Sequence, residues 1–228
     1  MVSVHQAIHI AGTNTYKFGP PKGLTLPISN APADTDWQRW AMLHDGVDYR
    51  LYTFKDNSPD TLYQFGWTGQ ALQYGHKSVP QLTIQDIPQD ADTRSFSVTY
   101  GEDNYRLYLR QFGHPTQLYQ FEWNVAAMAY MPCSGKRFQL QIPGFPPDTD
   151  WHRWSILNSG GTTYHLYAAK LGSNHEIYEG SWHSPEDDYG DSDTYNIFTL
   201  EGMPPDSNLA SLEVLHDGID YRLYLQTL

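Results

Sequence analysis

The tetrapeptide Tyr-x-Leu-Tyr begins at Tyr49, Tyr105, Tyr164 and Tyr221, at intervals of 56, 59 and 57 residues. A period this constant across 228 residues implies one supersecondary unit repeated four times. Such a unit cannot bury its apolar face alone and must stack on copies of itself. Alignment on the tyrosine brings further positions into register. Apolar stretches at 24–28, 82–87, 138–142 and 197–200 come first, each followed by a Pro/Asp turn: P-A-D-T-D, P-Q-D-A-D, P-P-D-T-D and P-P-D-S-N. A second apolar-patterned stretch follows, then a short turn and the tyrosine strand. Y-Q-F-G-W (63–67), Y-Q-F-E-W (119–123) and Y-E-G-S-W (178–182) come last. Aromatic and β-branched runs bounded by Gly, Pro and Asp read as strands, four per unit, and no segment carries a sustained helical period.

The fourth unit stops after its third strand, at Leu228. In the second and third units the fourth-strand Trp lies 15 residues before the next unit's first strand, and counting back 15 from Leu24 reaches His9. H-Q-A-I-H (5–9) then aligns with Y-Q-F-G-W, with Gln6 on Gln64. The N-terminus therefore completes the last unit. A ring needs that exchange because joining its ends removes two exposed sheet edges. These features predict an all-β, four-bladed β-propeller of ~57-residue repeats, four antiparallel strands per blade, in a single domain spanning 1–228. Blade boundaries fall at about 22–79, 80–136, 137–194, and 195–228 plus 1–12. In architecture this resembles hemopexin-type and lectin-type propellers; no functional residue is carried over from them.

Composition narrows the partners. The net charge is −12, from 26 acids against 14 bases, with no Lys/Arg cluster. Nucleic acid and anionic membrane surfaces, which need a basic stripe, are poor partners. No run approaches the ~18 apolar residues of a membrane span. The first residues lack the basic start and long apolar core of a signal peptide, so a cytoplasmic or otherwise soluble location is expected. Cys133 is the single cysteine and sits in a turn, which reads as a structural thiol.

Parity sorts the second strand into two faces. Trp40/Met42, Phe96/Val98, Trp154/Ile156 and Leu212/Val214 form an apolar face in every unit. The other face differs by unit and is bulky in the first and third, where D-W-Q-R-W and D-W-H-R-W occur. There Arg39 and Arg153 are expected to stack on Trp37 and Trp151 and to pair with Asp36 and Asp150. Such a Trp beside Arg and Asp either packs the blade or forms a platform for a sugar ring. The turns H-D-G-V-D and H-D-G-I-D offer His44, Asp45, Asp48, His216, Asp217 and Asp220 as a second candidate rim, although Asp-Gly hairpin chemistry accounts for the same residues. The segment S-P-E-D-D-Y-G-D-S-D-T places Asp187, Asp188, Asp191 and Asp193 close together. A solvated acidic loop meeting a basic protein is favoured there over calcium, whose loops need a fixed Gly turn and a distal bidentate Glu. No catalytic motif stands out. The expectation is a non-catalytic module without a cofactor that binds a carbohydrate or similar small polar ligand; the alternative is a protein-interaction scaffold using a propeller face and the acidic loop.

Overall fold

Short runs of Tyr, Phe, Val, Leu and Thr, cut by Pro, Asp and Gly turns, make strands and almost nothing else. The computed structural model describes residues 3–19, 24–25, 27–68, 73–75, 79–101, 103–142, 145–160, 163–183 and 195–227. The strands in the first half of the chain are β1 Ser3–His9, β2 Thr15–Phe18, β3 Leu24–Thr25, β4 Thr35–His44, β5 Tyr49–Lys55, β6 Thr61–Thr68, β7 Gln73–Tyr74, β8 Gln81–Ile84 and β9 Ala91–Gly101. They continue as β10 Asn104–Gln111, β11 His114–Asn124, β12 Ala129–Pro132, β13 Gln139–Gln141, β14 Thr149–Gly160, β15 Thr163–Lys170, β16 Glu176–His183, β17 Asn196–Glu201, β18 Ser207–His216 and β19 Tyr221–Thr227. The fold is all-β and propeller-like. No helix among the described residues is long and apolar enough to cross a membrane.

Each unit is built on three antiparallel strands: β4–β5–β6, β9–β10–β11, β14–β15–β16 and β18–β19–β1. The last set joins the two ends of the chain, with Val4 opposite Gln226 and Ile8 opposite Arg222. Gln6 lies opposite Tyr224 just as Gln64 lies opposite Tyr52, which matches the alignment of residues 5–9 on 63–67. A further correspondence follows. The hydroxyls of Tyr63, Tyr119 and Tyr178 donate to Asp34, Asp90 and Asp148 at 2.8–2.9 Å, and His5 Nε2 lies 3.0 Å from Asp206 in the equivalent place.

The outermost strands are grouped differently from the sequence units. The apolar stretch that opens each sequence unit pairs with the preceding unit: β8 with β6, β13 with β11, β17 with β16, and β3 with β1. A repeat fixes its period but not the point at which the chain crosses from one sheet to the next. The Pro/Asp turn is that crossing, so boundaries near 22, 80, 137 and 195 cut the period and not the hydrogen bonding.

The third strand of a unit has room for a second partner. A hairpin returns beside its far end: β7 on β6, β12 on β11 and β2 on β1. This hairpin strand also runs parallel to the neighbouring unit's outer strand. Tyr130 lies opposite Ile84, Tyr16 opposite Leu200, and an isolated bridge joins Ile28 to Tyr74. These latches merge the units into sheets of 10 and 9 strands and cover edges that would otherwise template foreign strands.

The inner strands β4, β9, β14 and β18 surround a common axis, each packed beside two of the others. Here parity alone misleads. Trp40, Met42 and their equivalents are buried as expected, but so are Ala41, Leu43, Ser97, Thr99, Ser155, Leu157, Glu213 and Leu215. Both sides of an inner strand meet a neighbour: Ala41 and Leu43 pack with Phe96 and Val98, while Trp40 and Met42 pack with Leu215 and Tyr224. Buried hydroxyls stitch these strands together in place of a backbone ladder. Ser97 Oγ accepts from the Ile156 N–H at 2.8 Å, Thr99 Oγ1 from Asn158 N–H at 3.1 Å, and Ser155 Oγ from Val214 N–H at 3.1 Å. Glu213 occupies the corresponding slot in the fourth unit and accepts from the Met42 backbone. Burial pushes its carboxyl well above the ordinary range, against the hydrogen bonds from Ser155 and Met42.

Candidate functional site

At the entrance to each inner strand an Asp or Asn carries out the same local task. Its side-chain oxygen accepts the N–H two residues on: Asp36 from Gln38, Asp92 from Arg94, Asp150 from His152 and Asn208 from Ala210, at 2.9–3.1 Å. The ladder shifts register at each of these places. The bulge that results turns the strand before it reaches the core. It also determines where Trp37 and Trp151 go. Trp37 is half-buried against Phe65, ring centroids 5.6 Å apart, and Trp151 against Phe145 at 5.2 Å. Arg39 pairs with Asp36 at 2.6 Å and Arg153 with Asp150 at 3.1 Å. The expected stacking of Arg39 on Trp37 is not what forms: its guanidinium lies 4.5 Å from the Phe54 ring, because the bulge separates the two side chains.

The H-D-G-x-D turns are four residues long, between β4 and β5 and between β18 and β19, and not two-residue hairpins. Only Gly46 and Gly218 take positive φ there, at 89° and 90°. Asp45 caps Val47 and Asp48, pairs with Arg50 at 2.7 Å, and accepts the Tyr105 hydroxyl of the next unit at 2.8 Å. Asp217 caps Ile219 and Asp220, pairs with Arg222 at 2.6 Å, and accepts the Tyr49 hydroxyl at 3.0 Å. These two carboxylates join neighbouring units. His44 packs on Tyr49 and His216 on Tyr221, both at 4.6 Å; Asp48 is exposed, and Asp220 lies 3.9 Å from Arg222.

The electrostatics of these joints lead to an expected acid response. Burial opposes ionisation of Asp45 and Asp92. Hydrogen bonds from Asp48, Tyr105 and Arg50 to the one, and from Arg94 together with the Arg110 charge to the other, prevail and lower each from 3.8 to about 2. Depressed folded values mean that the stability they contribute is complete above about pH 4 and is lost as the pH falls toward 2. Near-UV circular dichroism should show tertiary loss in that window, with a shallower slope in Asp45→Asn. A signal that stays flat from pH 4 to 2 would contradict this account.

The motif tyrosines themselves face the gaps between units. Tyr49, Trp67 and Tyr74 of the first unit lie opposite Gln6, Arg222 and Tyr224 of the fourth, around a cavity of about 240 Å³. Trp67 and Tyr74 meet edge to face at 4.9 Å, and Gln6 Nε2 donates to the Tyr224 hydroxyl at 3.1 Å. The next gap repeats the set. Tyr105 and the Trp123–Tyr130 pair, 5.3 Å apart, belong to the second unit; Arg50 of the first lies 5.2 Å from the Tyr105 ring. The gap between the third and fourth units keeps the positions and changes the chemistry. His9 takes the Trp place beside Tyr16 at 5.4 Å, and His165, hydrogen-bonded to buried Glu179, takes the Arg place. Sequence reasoning used these residues only as alignment marks. The signal was the recurrence itself: Tyr49, Tyr105 and Tyr221, Trp67 and Trp123, and Arg50 and Arg222 return at equivalent places of the repeat.

Among the described residues no group of three or more His, Cys, Asp or Glu is placed to hold a metal ion. Asp187, Asp188, Asp191 and Asp193 lie outside the described residues. Cys133 is buried, and burial pushes its thiol up to about 12, far from a nucleophile's range.

No family model matches the chain, and no curated protein does. Solved structures do. A point mutant of the Aleuria aurantia lectin in complex with Fucα1-6GlcNAc is 14% identical, with 98% of this chain and 63% of that one covered at a TM-score of 0.41. SapL1 lectin in complex with α-methyl fucoside is 13% identical, covering 98% and 64% at 0.38. AofleA from Arthrobotrys oligospora is 13% identical, covering 98% and 58% at 0.40. The chain thus spans less than two thirds of the length of these matches.

Proposed function

We propose that the chain is a four-bladed β-propeller that binds a carbohydrate or a similar small polar ligand without transforming it, in the cleft between its first and fourth blades. The blade count is supported by four sequence repeats and by inner strands that each pack beside two others. The observation that carries the binding reading is the cavity of about 240 Å³ between Tyr49, Trp67 and Tyr74 on one side and Gln6, Arg222 and Tyr224 on the other. The partly exposed Trp67 indole and Tyr49 phenol offer apolar faces to the C–H face of a sugar, with buried Tyr74 and Tyr224 beneath them, while the Gln6 amide and Arg222 guanidinium offer donors to its hydroxyls. The volume is below the ~300–1,000 Å³ of drug-sized sites and suits a single small ring. Trp37 and Trp151, packed on Phe65 and Phe145, do not line this cleft.

A glycan array and calorimetry on Trp67→Ala test this reading. Binding should be lost while the protein stays folded, because half-exposed Trp67 should cost less than the ~3–5 kcal/mol of a fully buried Trp. Binding that survives Trp67→Ala and disappears in Trp37→Ala would move the site to the blade entrances. A wild-type protein that binds no glycan on the array would favour the interaction-scaffold alternative.

A further inference from the structure

A larger cavity lies elsewhere, at the end of the ring where the inner strands begin. It measures about 550 Å³ and is lined by Gln38, Arg39, Arg94, Ser95, His152 and Asn208, among others. The repeated bulge builds it. The residue whose N–H is captured by each Asp or Asn cap is Gln38, Arg94, His152 or Ala210, one from each unit, and all four line this mouth. Below it a space of about 20 Å³, sharing Gln38, Arg94 and His152, continues down the axis between Trp40, Trp154 and Glu213. That is room for one water or one ligand oxygen.

Two acceptors at this mouth are engaged: Asp36 takes Gln38 N–H and Arg39 Nε, and Asn208 Oδ1 takes Ala210 N–H. Several donors there remain. Trp154 Nε1 gives its proton to Ser95 Oγ at 3.0 Å, which leaves the serine hydroxyl proton to point elsewhere. Trp40, in the equivalent position on the first unit and 4% exposed, has an indole N–H with no partner among the described residues. Arg94 holds Asp92 through Nε and Nη2, which leaves Nη1 directed away from that pair. A buried indole N–H without an acceptor is costly and rare in a folded protein. We propose that the axial mouth is a second ligand site, for a small carboxylate-bearing molecule, with one oxygen reaching the Trp40 N–H and the rest held by Arg94, Ser95, Gln38 and His152.

Citrate serves as the probe, followed by calorimetry and by the indole N–H resonances of the seven Trp residues, with the Trp40 signal assigned through Trp40→Phe. Citrate should bind saturably and move the Trp40 resonance. The variant His152→Gln, whose side chain is exposed and makes no side-chain hydrogen bond that holds the fold, should weaken binding several-fold, and Arg94→Lys, which keeps a cation beside Asp92, should weaken it about tenfold or more. Trp67→Ala, at the inter-blade cleft, should bind citrate like the wild type, so the two sites succeed or fail separately. Absence of saturable binding, a Trp40 resonance that does not move, or unchanged affinity in both variants would each overturn the assignment.

Discussion

Removal of residues 1–12 is expected to abolish cooperative folding and produce an aggregating chain. The deletion takes β1, which pairs with β19 on one side and with β2 and β3 on the other. It removes Val4 and Ala7, both fully buried, together with the His5–Asp206 contact. The loss is of the order of the ~5–15 kcal/mol that holds a whole domain together, and it bares a strand edge on β19. Melting temperature and light scattering report the two consequences. A synthetic peptide of residues 1–12 added in trans should restore the transition, as strand addition to an open edge does elsewhere. A truncated protein that melts like the full chain and remains monomeric would refute closure by this strand.

Asp92→Ala should be the most damaging single substitution of a polar group. Asp92 and Arg110 are 4% and 6% exposed, and Arg110 Nη2 donates to Asp92 Oδ2 at 2.9 Å. Removing the carboxylate leaves a buried guanidinium uncompensated, which costs about 3–5 kcal/mol. The double variant Asp92→Ala/Arg110→Met should recover much of that loss, because it removes the stranded charge with its partner. Urea unfolding of the two singles and the double gives the coupling directly. A cost below ~1 kcal/mol for Asp92→Ala would show that the pair is relaxed by water or by Arg94.

The sequence made the period and the closing strand legible because both are properties of one unit compared with itself. Gln6 on Gln64 was enough to find β1. The positions that went unread depend on two units at once. Tyr49 meets Asp217, Tyr105 meets Asp45, and Trp67 faces Arg222 across a seam, pairings of residues far apart in the chain that no local pattern contains. Ser97 and Ser155 look like solvent-facing residues by alternation, yet they are buried because their hydroxyls replace a backbone ladder between inner strands. Trp37 and Trp151 stood out as bulky breaks in alternation. The bulge beside them, made by the Asp36 and Asp150 caps, is the reason they turn toward Phe65 and Phe145.

The parallel latches have a direction. Each described latch strand reaches from its own unit to the outer strand of the unit before it: β12 to β8, β2 to β17, and Tyr74 to Ile28. Among the described residues each latch thus has a giving unit and a receiving unit, the head-to-tail logic of cyclic oligomers, in which rotation decides closure. The peptide links between units then set order and stoichiometry while the seams set shape. A gene encoding two such units would leave one giving and one receiving side unmatched, and a second copy of the same product carries their complements.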